Sequence, residues 1–311
     1  MSDEIRYDGQ VVIVTGGGRG IGRAYCLEFA RKGASVVVND IDAEVAGEVV
    51  AAIEAEGGTA APAVTTISTV EGGQAVVDVA LERFGTVDVV INNAGISRPR
   101  WFGDFPLDEM EELFGVHVMG VFHVMQPAWR VMKAKHYGRV ILVSSISGMM
   151  SHGGLATYAA AKAGMYGLMK SMASEGLDHG INVNAILPLA KTAIGANDPI
   201  PYVKHYFGDI EETVVAEEGR RKTELVAYLA SFLCSRECDI TGEAYSNSGG
   251  RYARVFVGVA DGWLAETVDE ISAEAIRDHI DEVRDLSSFS VPRWAMDEIA
   301  DVGRRVRALH S

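Results

Sequence analysis

The stretch VVIVTGGGRGIG, residues 11–22, decides the fold. Five residues rich in valine and isoleucine run into a glycine cluster, and a helix-forming segment follows directly. An apolar β-branched run without polar alternation reads as a strand buried on both faces. Gly16, Gly18, Gly20 and Gly22, with Arg19 and Ile21 between them, permit a tight turn, a close approach of backbone to a pyrophosphate, and close packing of helix on sheet. The helix opening there offers unpaired amides and the positive end of its dipole to phosphate groups. Glycine-rich turns are common in α/β proteins. The strand–loop–helix context turns this one into a dinucleotide site.

Similar strands recur on either side. ASVVVND (34–40), VDVVINN (87–93), GRVILVSS (138–145) and INVNAIL (181–187) are apolar runs, and TAAPAV (59–64) is a weaker one. Helix-like segments such as 22–32 and 42–56 separate them. This alternation predicts an α/β fold, a Rossmann-like doubly wound parallel sheet with helices on both faces. The expected dinucleotide-binding and catalytic domain covers residues 1–250 and the remainder, 251–311, is a C-terminal helical extension. A last strand is expected within 249–258. One helix is expected over 267–283, opened by a Thr267/Glu270 capping box, and another near Pro292 with Trp294, Ile299, Val302 and Val306 as its apolar face. These faces need cover from the main domain or from a neighbouring subunit.

A formal charge of -15 over 311 residues disfavours nucleic acid and anionic membranes as partners. Three cysteines, Cys26, Cys234 and Cys238, give neither a zinc site nor a disulfide framework and suit a reducing compartment. The N-terminus is polar and acidic and no apolar run reaches membrane-spanning length, so a cytoplasmic setting is expected.

The second strand ends in Asp40, eighteen residues after Gly22, where an acidic side chain holds the ribose hydroxyls of NAD. A 2′-phosphate there meets repulsion of roughly 1 to 4 kcal/mol. Arg19 pulls the other way, as a cation within reach of such a phosphate, or stands as a solvated loop residue. NAD is expected over NADP.

The run YAAAK, residues 158–162, places Tyr158 and Lys162 one turn apart on a helix. A tyrosine with a pKa of about 10 is too weak a base near neutrality, and a cation within about 4 to 6 Å lowers a pKa by roughly 1 to 3 units. Tyr158 is then a base for a substrate alcohol and Lys162 its activator. Ser145 lies thirteen residues earlier at a strand end, placed to hold the same substrate oxygen. Alone, the pair reads more often as an ordinary helix face with a snorkelling lysine.

Together, TGGGRGIG, NNAG (92–95), Ser145, Tyr158 and Lys162 resemble the short-chain dehydrogenase/reductase family over about residues 8–250. The resemblance implies about seven parallel strands, a nicotinamide cofactor and a Ser145–Tyr158–Lys162 catalytic group. It also implies cofactor contacts from the glycine loop, Asn93, Ala94, Gly95, Tyr158, Lys162 and Pro188, and a homodimer or homotetramer. The asparagine usual to the family 41 residues before the tyrosine is replaced by His117. His117, the VVVND strand end and the long extension resemble the (3R)-hydroxyacyl-CoA dehydrogenase branch, the dehydrogenase part of type 2 multifunctional enzymes and their bacterial relatives. His117 either holds a water for proton relay from Lys162 or satisfies a kinked helix backbone. In NAILPLAKTA (184–193), Leu189 stands where the family has glycine. Ile186 and Pro188 are expected to line the nicotinamide pocket, and Thr192 is the nearest candidate for its amide. The expected reaction is NAD-dependent oxidation of a 3-hydroxyacyl-CoA. A hydroxysteroid dehydrogenase and an NADPH-dependent 3-oxoacyl carrier-protein reductase are alternatives. Trp101 and Phe102 are either pocket walls, core or interface, and residues 192–212 are a candidate substrate loop.

Overall fold

The computed structural model describes residues 4–190 and 219–309. The first of its two units, Met1–Arg254, holds the sheet. Six strands follow the expected runs: β1 (Val11–Thr15), β2 (Ser35–Asp40), β3 (Thr59–Val64), β4 (Val89–Asn92), β5 (Gly138–Val143) and β6 (Ile181–Leu189). β7 (Ala244–Ser248) and β8 (Arg251–Val255) complete a sheet of order β3-β2-β1-β4-β5-β6-β7-β8. Its first seven strands pair in parallel. The eighth is the last strand expected within 249–258, and β7 is the one that no sequence run singles out. β8 follows a two-residue turn, Gly249–Gly250, with φ of 57° and 88°, a link short enough only for an antiparallel hairpin.

Between the strands run α1 (Gly20–Arg31), α2 (Ala43–Ala55), α3 (Val70–Phe84), α4 (Leu107–Phe114), α5 (Gly120–Ala134) and α6 (Ala156–Gly176). The next described helix, α7 (Thr223–Leu233), packs against α1. Asp42 caps α2, and Thr69 caps α3, which stops at Gly85 in the left-handed region. Val12, Val14, Val36 and Val38 are fully buried against Tyr25, Phe29 and Val226 in the core beneath α1. No described helix is long and apolar enough to cross a membrane.

Strand order reverses between β1 and β4, so the loops leaving their C-terminal ends diverge and open a crevice. Every site residue described below stands at that edge of the sheet or on α4–α6.

The second unit, Val255–Ser311, is smaller. It holds a short antiparallel pair, β9 (Val259–Ala260) with β10 (Phe289–Ser290). The expected helix over 267–283 is broken into a 3-10 turn (Val268–Glu270), α8 (Ala273–Asp278) and α9 (Ile280–Arg284). The Thr267/Glu270 capping box forms but caps only the 3-10 turn, while the Ser272 hydroxyl accepts the Ala275 amide and starts the helix afresh. The second expected helix is α10 (Ala295–Leu309), so Trp294 precedes it rather than lying on its apolar face.

Candidate active site

The glycine loop leaves β1 with Gly16 at φ 62° and Gly20 at φ 53°, a region that L side chains avoid. A Cβ on Gly22 would sit 1.9 Å from the Gly16 carbonyl oxygen. No side chain caps α1, so the amides of its first turn face the crevice. Asn93 ties the loop to β4: its side-chain amide donates to the carbonyls of Thr15 and Gly16, at 3.0 and 3.1 Å. The Thr15 hydroxyl in turn accepts the amides of Asn93 and Ala94.

Asp40 is oriented by two backbone amides: Gly18 donates to Oδ2 and Asp42 to Oδ1, both at 3.2 Å. Gly18 itself does not line the crevice. A Cβ there would lie 2.8 Å from Asp40 Oδ2, so Gly18 positions the carboxylate instead of touching the crevice. Arg19 does not extend freely over the opening. Its Nη2 donates to Asp42 Oδ2 at 2.6 Å.

At the other end, Ser145 leaves β5 and its hydroxyl accepts the Ser147 amide at 3.2 Å. Lys162 is 4% exposed and donates from Nζ to the Val143 carbonyl at 2.7 Å. Its own carbonyl accepts the Ser144 hydroxyl at 2.7 Å, which locks α6 to the end of β5. Burial lowers the Lys162 pKa to about 7. Burial also raises that of Tyr158, against a hydrogen bond with Ser145 that lowers it. The expected lowering by Lys162 is therefore not the chain's own doing. Nζ is engaged by Val143 and stands 5.8 Å from the tyrosine ring centroid. Ser145 supplies the downward pull.

His117 lies in a π-helical turn, Gly115–Met119, between α4 and α5, and is 2% exposed. It does not repair its own helix backbone. Nε2 lies 2.7 Å from the Ile96 carbonyl oxygen, so the His117 ring pins the loop after β4. Nε2 also lies 3.0 Å from the Ile96 amide, so it donates to the carbonyl in one neutral tautomer and accepts the amide in the other, and Nδ1, buried without a hydrogen-bond partner among the described residues, takes the complementary role. The ring packs edge-on against Tyr158 with centroids 5.5 Å apart. Burial, and then the nearby Lys162 charge, lower its pKa to about 3, so the imidazole is neutral at any ordinary pH. Gly95 makes room for it, since a Cβ there would meet the ring at 2.5 Å.

One crevice of about 960 Å³ runs between these ends. Its walls include Gly16, Arg19, Gly20, Ile21, Gly22 and Asp40, then Asn93, Ala94 and Gly95, then His117, Ser145, Tyr158, Lys162 and Pro188. Every predicted site residue is thus on it except Gly18 and Thr192, and Thr192 lies outside the described residues. Ile186, expected on the wall, is fully buried in the core, one step deeper than Pro188 on the same face of β6. The uncapped helix start, the glycine cradle and the oriented Asp40 fit a dinucleotide.

Sequence reading leaves the adenosine wall open, since AVTTIS (63–68) lacks the aspartate often found there. Thr65, Thr66, Ile67 and Ser68 form that wall, held by Asn39, whose side-chain amide donates to the carbonyls of Ala63 and Thr65. The signal was Asn39 itself, a polar residue inside a Val-rich strand. Trp101 and Phe102 are 45% and 87% exposed and so are not core. Met125 on α5 is buried in the core.

The profile of the family described as short chain dehydrogenase matches residues 10–197, and the chain belongs to that family. By its description, that family is one of dehydrogenases. The chain is 34% identical to peroxisomal multifunctional enzyme type 2 of Mus musculus, over 100% of its own length and 41% of that protein. Among solved structures, full-length peroxisomal multifunctional enzyme type 2 of Drosophila melanogaster is similar over 98% of this chain and 51% of that one, with a TM-score of 0.80 and 27% identity. A short chain dehydrogenase of Mycobacterium avium is similar over 89% and 97% respectively, with a TM-score of 0.76 and 31% identity. The chain thus spans about half or less of these two multifunctional enzymes.

Proposed function

We propose that the chain oxidises the secondary alcohol of a 3-hydroxyacyl-CoA thioester with NAD. The observation that carries this reading is the convergence of Ser145, Tyr158, Lys162 and His117 on the crevice that Asp40 closes at its other end. The likeness to multifunctional enzyme type 2 supports the acyl-CoA class.

The glycine loop and first turn of α1 would bind the pyrophosphate and Asp40 the adenosine ribose, with Asn93 to Gly95 as the crevice floor and Lys162 and Pro188 lining the nicotinamide half. When bound, an oxidised nicotinamide would supply the hydride acceptor and a positive charge. Ser145 holds the substrate oxygen by hydrogen bond. Tyr158 takes the hydroxyl proton, which its raised resting pKa permits only when a cation stands close by. Lys162, titrating near neutrality, returns Tyr158 to its starting state through a water held by Nδ1 of His117. His117 stays neutral throughout.

The carrier-protein alternative needs a free basic patch at the crevice mouth. Arg98 and Arg100 are instead paired with Glu112 and Glu109, at 3.3 and 3.1 Å. Met119 and Phe122, 47% and 40% exposed on consecutive turns, support assembly into a homodimer or homotetramer.

Steady-state oxidation of a panel of 3-hydroxyacyl-CoA thioesters, hydroxysteroids and simple secondary alcohols with NAD tests the reading. Turnover concentrated on the thioesters is expected. Inert thioesters beside a good steroid substrate would move the assignment to the hydroxysteroid class.

A further inference from the structure

The glycine loop of this chain carries its own argument against NAD. Among the crevice-lining residues of the loop, β2 and segment 65–68, Arg19 is the one cation, and a cation there suits the 2′-phosphate of NADP. The structure also shows what restrains it. Asp42 divides its carboxylate between two tasks. Oδ1 accepts the amides of Glu44 and Val45, at 3.1 and 3.5 Å, as the N-cap of α2. Oδ2 takes the Arg19 guanidinium at 2.6 Å. The cap fixes the carboxylate in place, so Arg19 is drawn to a rigid anion rather than a wandering one.

We infer that Asp42 is a specificity-determining residue: it holds Arg19 away from the position of a 2′-phosphate and adds a second negative charge beside Asp40. The inference rests on the NAD reading above and deepens it. Asp40 excludes the phosphate from where the ribose lies, and Asp42 removes the cation that would otherwise compensate. Both members of the ion pair are partly exposed, at 67% and 41% of the side chain, so the restraint is modest. An exposed pair shifts an equilibrium by no more than about fivefold. Losing the Asp42 charge near a phosphate adds a similar factor.

The test is fluorescence titration of NADH and NADPH on the wild type, Asp42→Asn, Arg19→Gln and the double variant. Asparagine caps a helix as well as aspartate, so Asp42→Asn keeps the start of α2 and removes only the charge. The readout is the ratio of the two dissociation constants. Asp42→Asn is expected to move that ratio toward NADPH by roughly 3- to 10-fold. Arg19→Gln in the Asp42→Asn background is expected to cancel most of the gain, whereas Arg19→Gln alone changes the ratio little. An unchanged ratio in Asp42→Asn overturns the inference, as does a gain that survives without Arg19. If the wild type itself prefers NADPH and Asp42→Asn strengthens that preference, the NAD reading fails while the role of Asp42 stands. If the wild type prefers NADPH and Arg19→Gln alone removes the preference, both fall.

Discussion

At the nucleotide end of the crevice the walls are backbone and short polar side chains, set by glycines that admit no Cβ and by amides aimed at Asp40. At the chemistry end they are long ionisable side chains driven into the interior: Lys162 and His117 are 4% and 2% exposed. The two ends recognise by different physics. The first presents fixed dipoles and needs no change of protonation. The second depends on proton affinities that burial has moved, Lys162 down to about 7 and Tyr158 upward. Binding is therefore sensitive to steric change, and turnover to charge.

The largest effect on cofactor affinity is expected from steric damage at the nucleotide end. In Gly22→Ala the new methyl would stand 1.9 Å from the Gly16 carbonyl oxygen and 2.7 Å from the Asn93 side-chain amide. Affinity for NADH should fall about 100-fold or more, with turnover lost in parallel. Retained affinity would mean that the loop is looser than its contacts imply.

Lys162→Met probes the opposite end by a charge change of nearly constant volume. The folded-state pKa of Lys162 is depressed to about 7 from 10.5, so its burial penalises stability below the folded value. As pH rises from about 7 toward 10.5, the unfolded chain keeps a proton that the folded chain has released, and stability rises. Denaturant melts at several pH values should show this slope in the wild type and not in Lys162→Met. A difference between the two proteins that is flat with pH would show that Lys162 keeps its charge through the window.

The smallest effect should come from His117→Asn. With a pKa near 3, His117 contributes no limb to a neutral pH profile, and an amide preserves a donor for Ile96 and an acceptor beside it. The kcat/KM profile should keep its shape, with turnover reduced by less than about tenfold. Disappearance of a limb near pH 6 to 7 would make His117 a titrating catalyst.

The same division explains what the sequence made readable. The glycine loop and Tyr158 with Lys162 are local patterns, where the spacing alone fixes strand, turn and shared helix face. Asp40 was found because it ends a strand of known place. Asp42 and Arg19 were not paired in advance, since they meet only when β2 brings its end beside the loop, 23 residues away in the chain. Nor was the sign of the Tyr158 shift legible: spacing put a cation one turn away, but enclosure of the phenol decides the direction. In the extension, helical periodicity over 267–283 suggested one helix and the structure has three short pieces. No residue of those pieces is buried. With no packing to sustain a long helix, the local capping of Thr267 and Ser272 sets the breaks.

The central claim is that binding and chemistry reside at separate ends, with Tyr158 the group that moves the substrate proton. Its most direct test is NADH affinity and turnover measured side by side on Tyr158→Phe. The account predicts a dissociation constant within about twofold of wild type and turnover reduced by at least about 1000-fold, more than loss of a general base alone would cost at its lower bound. Turnover near the wild-type rate with intact NADH binding would contradict it and require another proton acceptor in the crevice.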